Sequence, residues 1–199
     1  MTKLKLFLTT LVCFLTTISY SQQQIDLEKE LPVDPKVKIG KLDNGLVYYI
    51  RKNKKPEKRV ELRLAVKAGS MQETDEQVGL AHFTEHMAFN GSKHFKKNEL
   101  VSYLQSIGMR FGGDLNAYTS FDETVYMLTV PTDSKGQLDS GFLVLQDWAA
   151  NLSLEGKEID AERGVIIEEW RTGKNADERM RKVWFPIVFT NSLYAKRMP

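Results

Sequence analysis

His82-Phe83-Thr84-Glu85-His86 sets two histidines four residues apart, with a glutamate three residues after the first. The flanking residues read as a helix from about Glu76 to Ala88, stopped by Asn90-Gly91. With about 3.6 residues per turn, positions three and four apart share a face. Both imidazoles and the carboxylate of Glu85 then project from the same side. Two neutral imidazoles can hold Zn²⁺, and a neighbouring carboxylate can take a proton from water that the metal polarises. The chain has only three histidines, and two of them fall at this spacing.

A catalytic zinc site takes three protein ligands and keeps one position open. The remaining histidine, His94, lies in the loop after the motif helix and is poorly placed to be the third. The single cysteine, Cys13, lies near the N-terminus. A carboxylate must supply the bond. A later helix, from near Glu158 to about Arg171, offers Glu158, Glu162, Glu168 and Glu169. Glu162 and Glu169 are two helical turns apart and share a face, close to Ile159, Ile166 and Trp170. An unpaired acid on an apolar stripe is costly, and a metal with its supporting residues would satisfy it. Glu168 points about 100° away, towards solvent. On pattern alone both Glu162 and Glu169 remain candidates.

The elements around the motif predict an α+β fold, a mostly antiparallel sheet with helices packed on it. Asn44-Gly45 between apolar stretches signals a hairpin, with a strand over about Leu46–Arg51. Val60, Leu62, Leu64 and Val66 alternate with Glu61, Arg63, Ala65 and Lys67, the period of a half-buried strand. A helix over about Lys97–Ile107 presents Leu100, Val101, Leu104 and Ile107, with Gly108 as its cap. The stretch Asp114–Val130 is extended. A helix over about Lys135–Asn151 turns Leu138, Phe142, Leu145 and Trp148 to the core.

The motif His82-Phe83-Thr84-Glu85-His86, followed by Glu162-Arg163-Gly164-Val165-Ile166-Ile167-Glu168-Glu169, resembles the pitrilysin family of inverted-motif zinc peptidases. Gly79-Leu80-Ala81, Met87-Ala88-Phe89-Asn90-Gly91 and the run from Gly113 to Tyr126 share the likeness. The resemblance implies the N-terminal domain of a mitochondrial-processing-peptidase-like metallohydrolase fold. It implies Zn²⁺ held by His82, His86 and Glu169, with Glu162 as the supporting acid. It implies that Glu85 activates the zinc-bound water for hydrolysis of peptides or unfolded polypeptides. It also implies that Asn116-Ala117 forms an edge strand pairing with substrate backbone. His86 and Glu169 are 83 residues apart, longer than expected for the family. Glu162 fits the raw spacing better but leaves the motif unmatched, so Glu169 is the expected ligand. Active relatives close two homologous halves over the substrate, so a second domain or subunit is expected as partner. The alternative is a non-catalytic zinc-binding or scaffold subunit.

Lys3 and Lys5, the apolar run Leu6–Ile18 and the small-x-small site Ser19-Tyr20-Ser21 read as a signal peptide over residues 1–21. Its removal leaves residues 22–199 as a zinc-binding peptidase domain without cysteine, exported to the periplasm or beyond, with no stable membrane span. The segment Asn191–Pro199 reads as a loop, as though the domain were cut short at that end. Of 28 lysines and arginines two lie in the leader, leaving 26 against 26 acids. A neutral chain gives no electrostatic case for nucleic acid.

Overall fold

The computed structural model describes residues 28–97, 99–110 and 112–198. The expected signal peptide lies outside them. The chain divides into two units at Asn53 and Lys54.

The first unit carries an antiparallel hairpin, β1 (Val37–Lys41) and β2 (Val47–Arg51), in the register Val37 to Arg51 and Lys41 to Val47. The predicted turn is present. Gly45 sits at φ 90°, a left-handed conformation that costs glycine nothing. The Asn44 side chain takes the N–H of Leu46 at 3.1 Å. Asp34 accepts from Arg51 Nε and from the N–H of Lys36, both at 2.9 Å.

The second unit is built on a three-stranded antiparallel sheet in the order β3 (Arg59–Val66), β5 (Thr124–Pro131), β4 (Leu115–Thr119). The extended stretch predicted from Asp114 is thus a hairpin, turning at Ser120–Glu123 through the N–H of Ser120 on the carbonyl of Glu123. The described residues also form five α-helices: α1 (Leu80–Met87), α2 (Glu99–Ser106), α3 (Gln137–Ala150), α4 (Gly156–Thr172) and α5 (Ala176–Val188). The mixed architecture agrees with the predicted α+β class.

Leu62, Leu115, Leu128 and Val130 of the sheet pack with Leu100, Leu104, Val144 and Trp148 of the helices. Helix α3 approaches the sheet closely at Gly141. A Cβ there would lie 2.8 Å from Val130 Cγ2 and 2.9 Å from Leu62 Cδ1. That contact sets the helix phase, so Gly141, Val144 and Trp148 face inward. Phe142, expected in the core, is one residue out of phase and 54 % exposed. Val66, expected to complete the inward set of β3, lies at the strand end and is 36 % exposed.

Helix α1 starts at Leu80, four residues later than expected. Gly79 takes φ 91° and breaks the run from Glu76. Glu73, further upstream, accepts the N–H groups of Gly79 at 2.9 Å and Ala81 at 2.7 Å. A carboxylate there satisfies orphan donors and matches the helix dipole. Helix α5 has no counterpart in the sequence analysis. Asn175 caps it by accepting the N–H of Glu178 at 2.9 Å, and Glu178 pairs with Arg181 and Lys182.

The segment after α1 is pinned to the end of α3. Asp147 is 1 % exposed. One of its oxygens accepts from Ser92 Oγ at 2.6 Å and the N–H of His94 at 2.9 Å. The other meets His94 Nδ1 at 2.8 Å and Asn151 Nδ2 at 3.2 Å. Trp148 Nε1 donates to the carbonyl of Ala88 at 3.0 Å. Burial pushes the Asp147 carboxyl up, but the bonds from Ser92, His94 and Asn151 outweigh it and hold the group below its ordinary value of 3.8. A lowered carboxyl stabilises the fold above that ordinary value and loses the contribution as pH falls through the folded-state value. Asp147→Asn should therefore cost about 3 kcal/mol at pH 7. Urea unfolding at several pH values should show the penalty shrinking below pH 3.8; a penalty that is absent at pH 7, or constant with pH, would contradict this role.

Candidate metal centre

Helix α1 carries His82 and His86 one turn apart, and their rings meet edge to face with centroids 4.7 Å apart. Helix α4 packs alongside and brings acids to both sides of His86. Glu162 Oε1 lies 2.8 Å from His86 Nδ1. Glu169 Oε2 lies 3.2 Å from His86 Nε2 and 3.8 Å from His82 Nε2. The two Nε2 atoms are 3.2 Å apart. Two helical turns separate the acids along α4, so one carboxylate reaches Nδ1 and the other Nε2 of the same ring.

The donor set can be tested against a metal. Glu162 is 8 % exposed and acts as an acceptor, so it holds the proton of His86 on Nδ1. The lone pair on Nε2 then faces a second imidazole nitrogen and a carboxylate oxygen. Three ligand atoms converging in this way can hold a cation among them. Tetrahedral ligands at about 2.0–2.1 Å from one zinc ion lie about 3.3 Å from each other. The observed separations of 3.2, 3.2 and 3.8 Å are of that size. Among the described residues, His82, His86 and Glu169 form the one His, Cys, Asp and Glu group close enough to hold a metal ion, all donors lying within 4.8 Å of each other. An N,N,O set of this kind fits Zn²⁺.

Glu85 stands one residue before His86 and is 9 % exposed. Its Oε2 accepts a hydrogen bond from Thr119 Oγ1 at 2.6 Å. A cleft of about 320 Å³ is lined by His82, Glu85, Ala117, Tyr118, Thr119 and Glu169. It lies along β4, an edge strand of its sheet. Burial, and then the negative charge of Glu85, push the Tyr126 hydroxyl up to about 12, so it stays a neutral core group stacked on Trp148.

Six of the seven residues singled out in the sequence meet around this cleft or the His86 ring. Asn116 does not line it. The pleat sends its side chain to the other face, where Glu61 and Arg63 line a separate depression. Its Oδ1 nonetheless accepts the N–H of Ala117 at 3.0 Å. Glu168 is exposed, as expected, and pairs with Arg171 at 2.7 Å. Trp170, expected near an apolar stripe, is 59 % exposed and carries Lys174 over its ring. Thr119 and Asn90 carry no site role in the sequence analysis. The period of two from Ala117 marks Thr119 as facing the same side of β4. The four-residue step from His86 marks Asn90 as lying beneath it.

Comparison with known proteins gives a consistent result. Residues 48–191 match the model of the insulinase family, peptidase family M16. The chain is 40 % identical over 182 residues to "Probable zinc protease PqqL" of Haemophilus influenzae, covering 92 % of this chain and 20 % of that protein. It superposes on the crystal structure of the first half of the periplasmic protease PqqL from Escherichia coli with a TM-score of 0.82 and 43 % identity, covering 86 % of this chain and 36 % of that one. Pitrilysin matches with a TM-score of 0.64 and 28 % identity over 82 % of this chain and 17 % of its own. The chain thus spans about a fifth of the curated relative's length. With its inverted His-x-x-Glu-His motif, its fold and this match, the chain belongs to the insulinase family of metallopeptidases, peptidase family M16.

Proposed function

We propose that this chain is the zinc-binding, N-terminal part of an exported zinc endopeptidase that cuts peptides or unfolded polypeptides. The observation that carries the reading is the convergence of His82 Nε2, His86 Nε2 and Glu169 Oε2 beside a cleft that also holds Glu85. Zn²⁺, when bound by these three side chains, polarises water and the scissile carbonyl. Glu85 takes the proton of the attacking water and passes it to the leaving amine. The Thr119 hydroxyl holds that carboxylate in place. Glu162 fixes the tautomer of His86 and strengthens it as a donor.

Substrate is held extended along β4. Its outer edge adds a strand through main-chain groups near Asn116 and Ala117, which tolerates varied side chains. A second homologous half closes over the site, and the short span of this chain relative to its relatives supports that. The periplasmic E. coli relative supports export after removal of residues 1–21.

Zinc content and peptide cleavage separate the roles, measured on the 199-residue protein and on the longer form carrying both halves. One zinc per chain is expected, lost with a strong chelator. His82→Ala should lose metal and cleavage together. Glu85→Gln should keep the metal and lower turnover by about 10²–10⁴. A fully active Glu85→Gln enzyme, or a protein that takes up no zinc, would overturn the assignment.

Thr119→Val should keep zinc and substrate KM while reducing kcat about tenfold, the effect of one lost hydrogen bond to a charged group. Unchanged kcat would show that the hydroxyl does not orient Glu85.

A further inference from the structure

Glu162 is an ionisable group taken almost wholly out of water, being 8 % exposed. A carboxylate so placed needs a donor for each oxygen. His86 Nδ1 meets Oε1 at 2.8 Å. Oε2 is met by Asn90 Nδ2 at 2.6 Å. The opposite amide orientation would set two oxygens against each other, so the N–H group must face the carboxylate. The same amide reaches the carbonyl of His86 at 3.3 Å.

Asn90 itself is fixed. Its N–H donates to the carbonyl of Met87 at 3.0 Å. Gly91 turns the chain away at φ 128°, and its carbonyl accepts from Ser153 at 3.1 Å. The side chain therefore has a set place beneath the His86 ring, one helical turn on.

We propose that Asn90 is a positioning residue for the metal centre: by binding one oxygen of Glu162 it aims the other at His86 Nδ1 and so directs Nε2 towards the ion. This rests on the metal-centre reading above. Without the Asn90 donor, the Glu162 carboxylate rotates in search of a partner, and the hold on the imidazole loosens. The effect travels through two hydrogen bonds and touches neither the ion nor the substrate.

The test is zinc affinity of the 199-residue protein, measured by competition with a chromogenic chelator, together with the visible spectrum of its cobalt(II) form. Asn90→Leu removes the donor while keeping the number and branching of side-chain heavy atoms. Asn90→Asp sets an acceptor against the carboxylate. Both should weaken zinc binding about tenfold or more, as loss of supporting hydrogen bonds does at other metal sites. Both should also change the cobalt bands. Asn90→Gln keeps the donor and should stay within about threefold of the unmodified protein. Melting of the metal-free forms checks that the variants fold. If Asn90→Leu does not fold, the Asp and Gln variants carry the comparison. In a Glu162→Gln background Asn90→Leu should add little, because the link is already broken.

Leu and Asp variants within about twofold of the unmodified protein, with unchanged cobalt spectra, would overturn the proposal. So would a full additive loss in the Glu162→Gln background. Failure of the unmodified protein to bind zinc would remove the metal-centre reading, and this inference with it, before any variant is compared.

Discussion

His86 is gripped from both sides of its ring. Its Nδ1 lies 2.8 Å from a buried carboxylate on one side, and its Nε2 lies 3.2 Å from a half-exposed carboxylate on the other. Both acids come from α4 and the histidine from α1. The geometry therefore exists only if these two helices keep their distance and rotation. Much of the surrounding structure serves that end. Glu73 fixes where α1 begins. Trp148 and the bonds of Asp147 fix where the chain goes after α1 ends. Gly141 lets α3 lie close enough to the sheet for Trp148 to reach.

The two acids of α4 differ in burial as their proposed tasks require. Glu162 is enclosed and fully engaged, which suits a residue that orients another side chain. Glu169 is 55 % exposed at its side chain and opens on the cleft. A group held only by two imidazoles has little to keep it there without a cation. Glu85, which lines the cleft with Glu169, is held from the sheet by Thr119. The strand proposed to pair with substrate is therefore the strand that holds the proposed base. Pairing along β4 and placement of the Glu85 carboxylate are mechanically linked.

Features written in local patterns were legible in the sequence. The histidine spacing, the Asn44-Gly45 turn, the alternation of β3 and the seven-residue step from Glu162 to Glu169 all follow from fixed periods. What was missed depends on contacts between distant segments. The start of α1 is set by Gly79 and by Glu73, six residues upstream of it, so the apolar pattern ran the helix too far back. The phase of α3 is set by Gly141, a residue with no side chain to announce it, so the apolar pattern points to Phe142 in its place. Helix α5 did carry a local signal, Asn175 followed three residues later by Glu178, but its exposed apolar residues gave no clear stripe. In the sequence Asn90 reads as a helix stop and no more of its role is visible, because its partner Glu162 lies 72 residues away.

The most direct measurement is the anomalous signal at the zinc edge from crystals of the zinc-soaked protein. One peak is predicted, about 2.0–2.2 Å from His82 Nε2, His86 Nε2 and an oxygen of Glu169, with Glu162 still on His86 Nδ1. A peak elsewhere, or a site in which Glu169 has swung away from both histidines, would contradict the central claim.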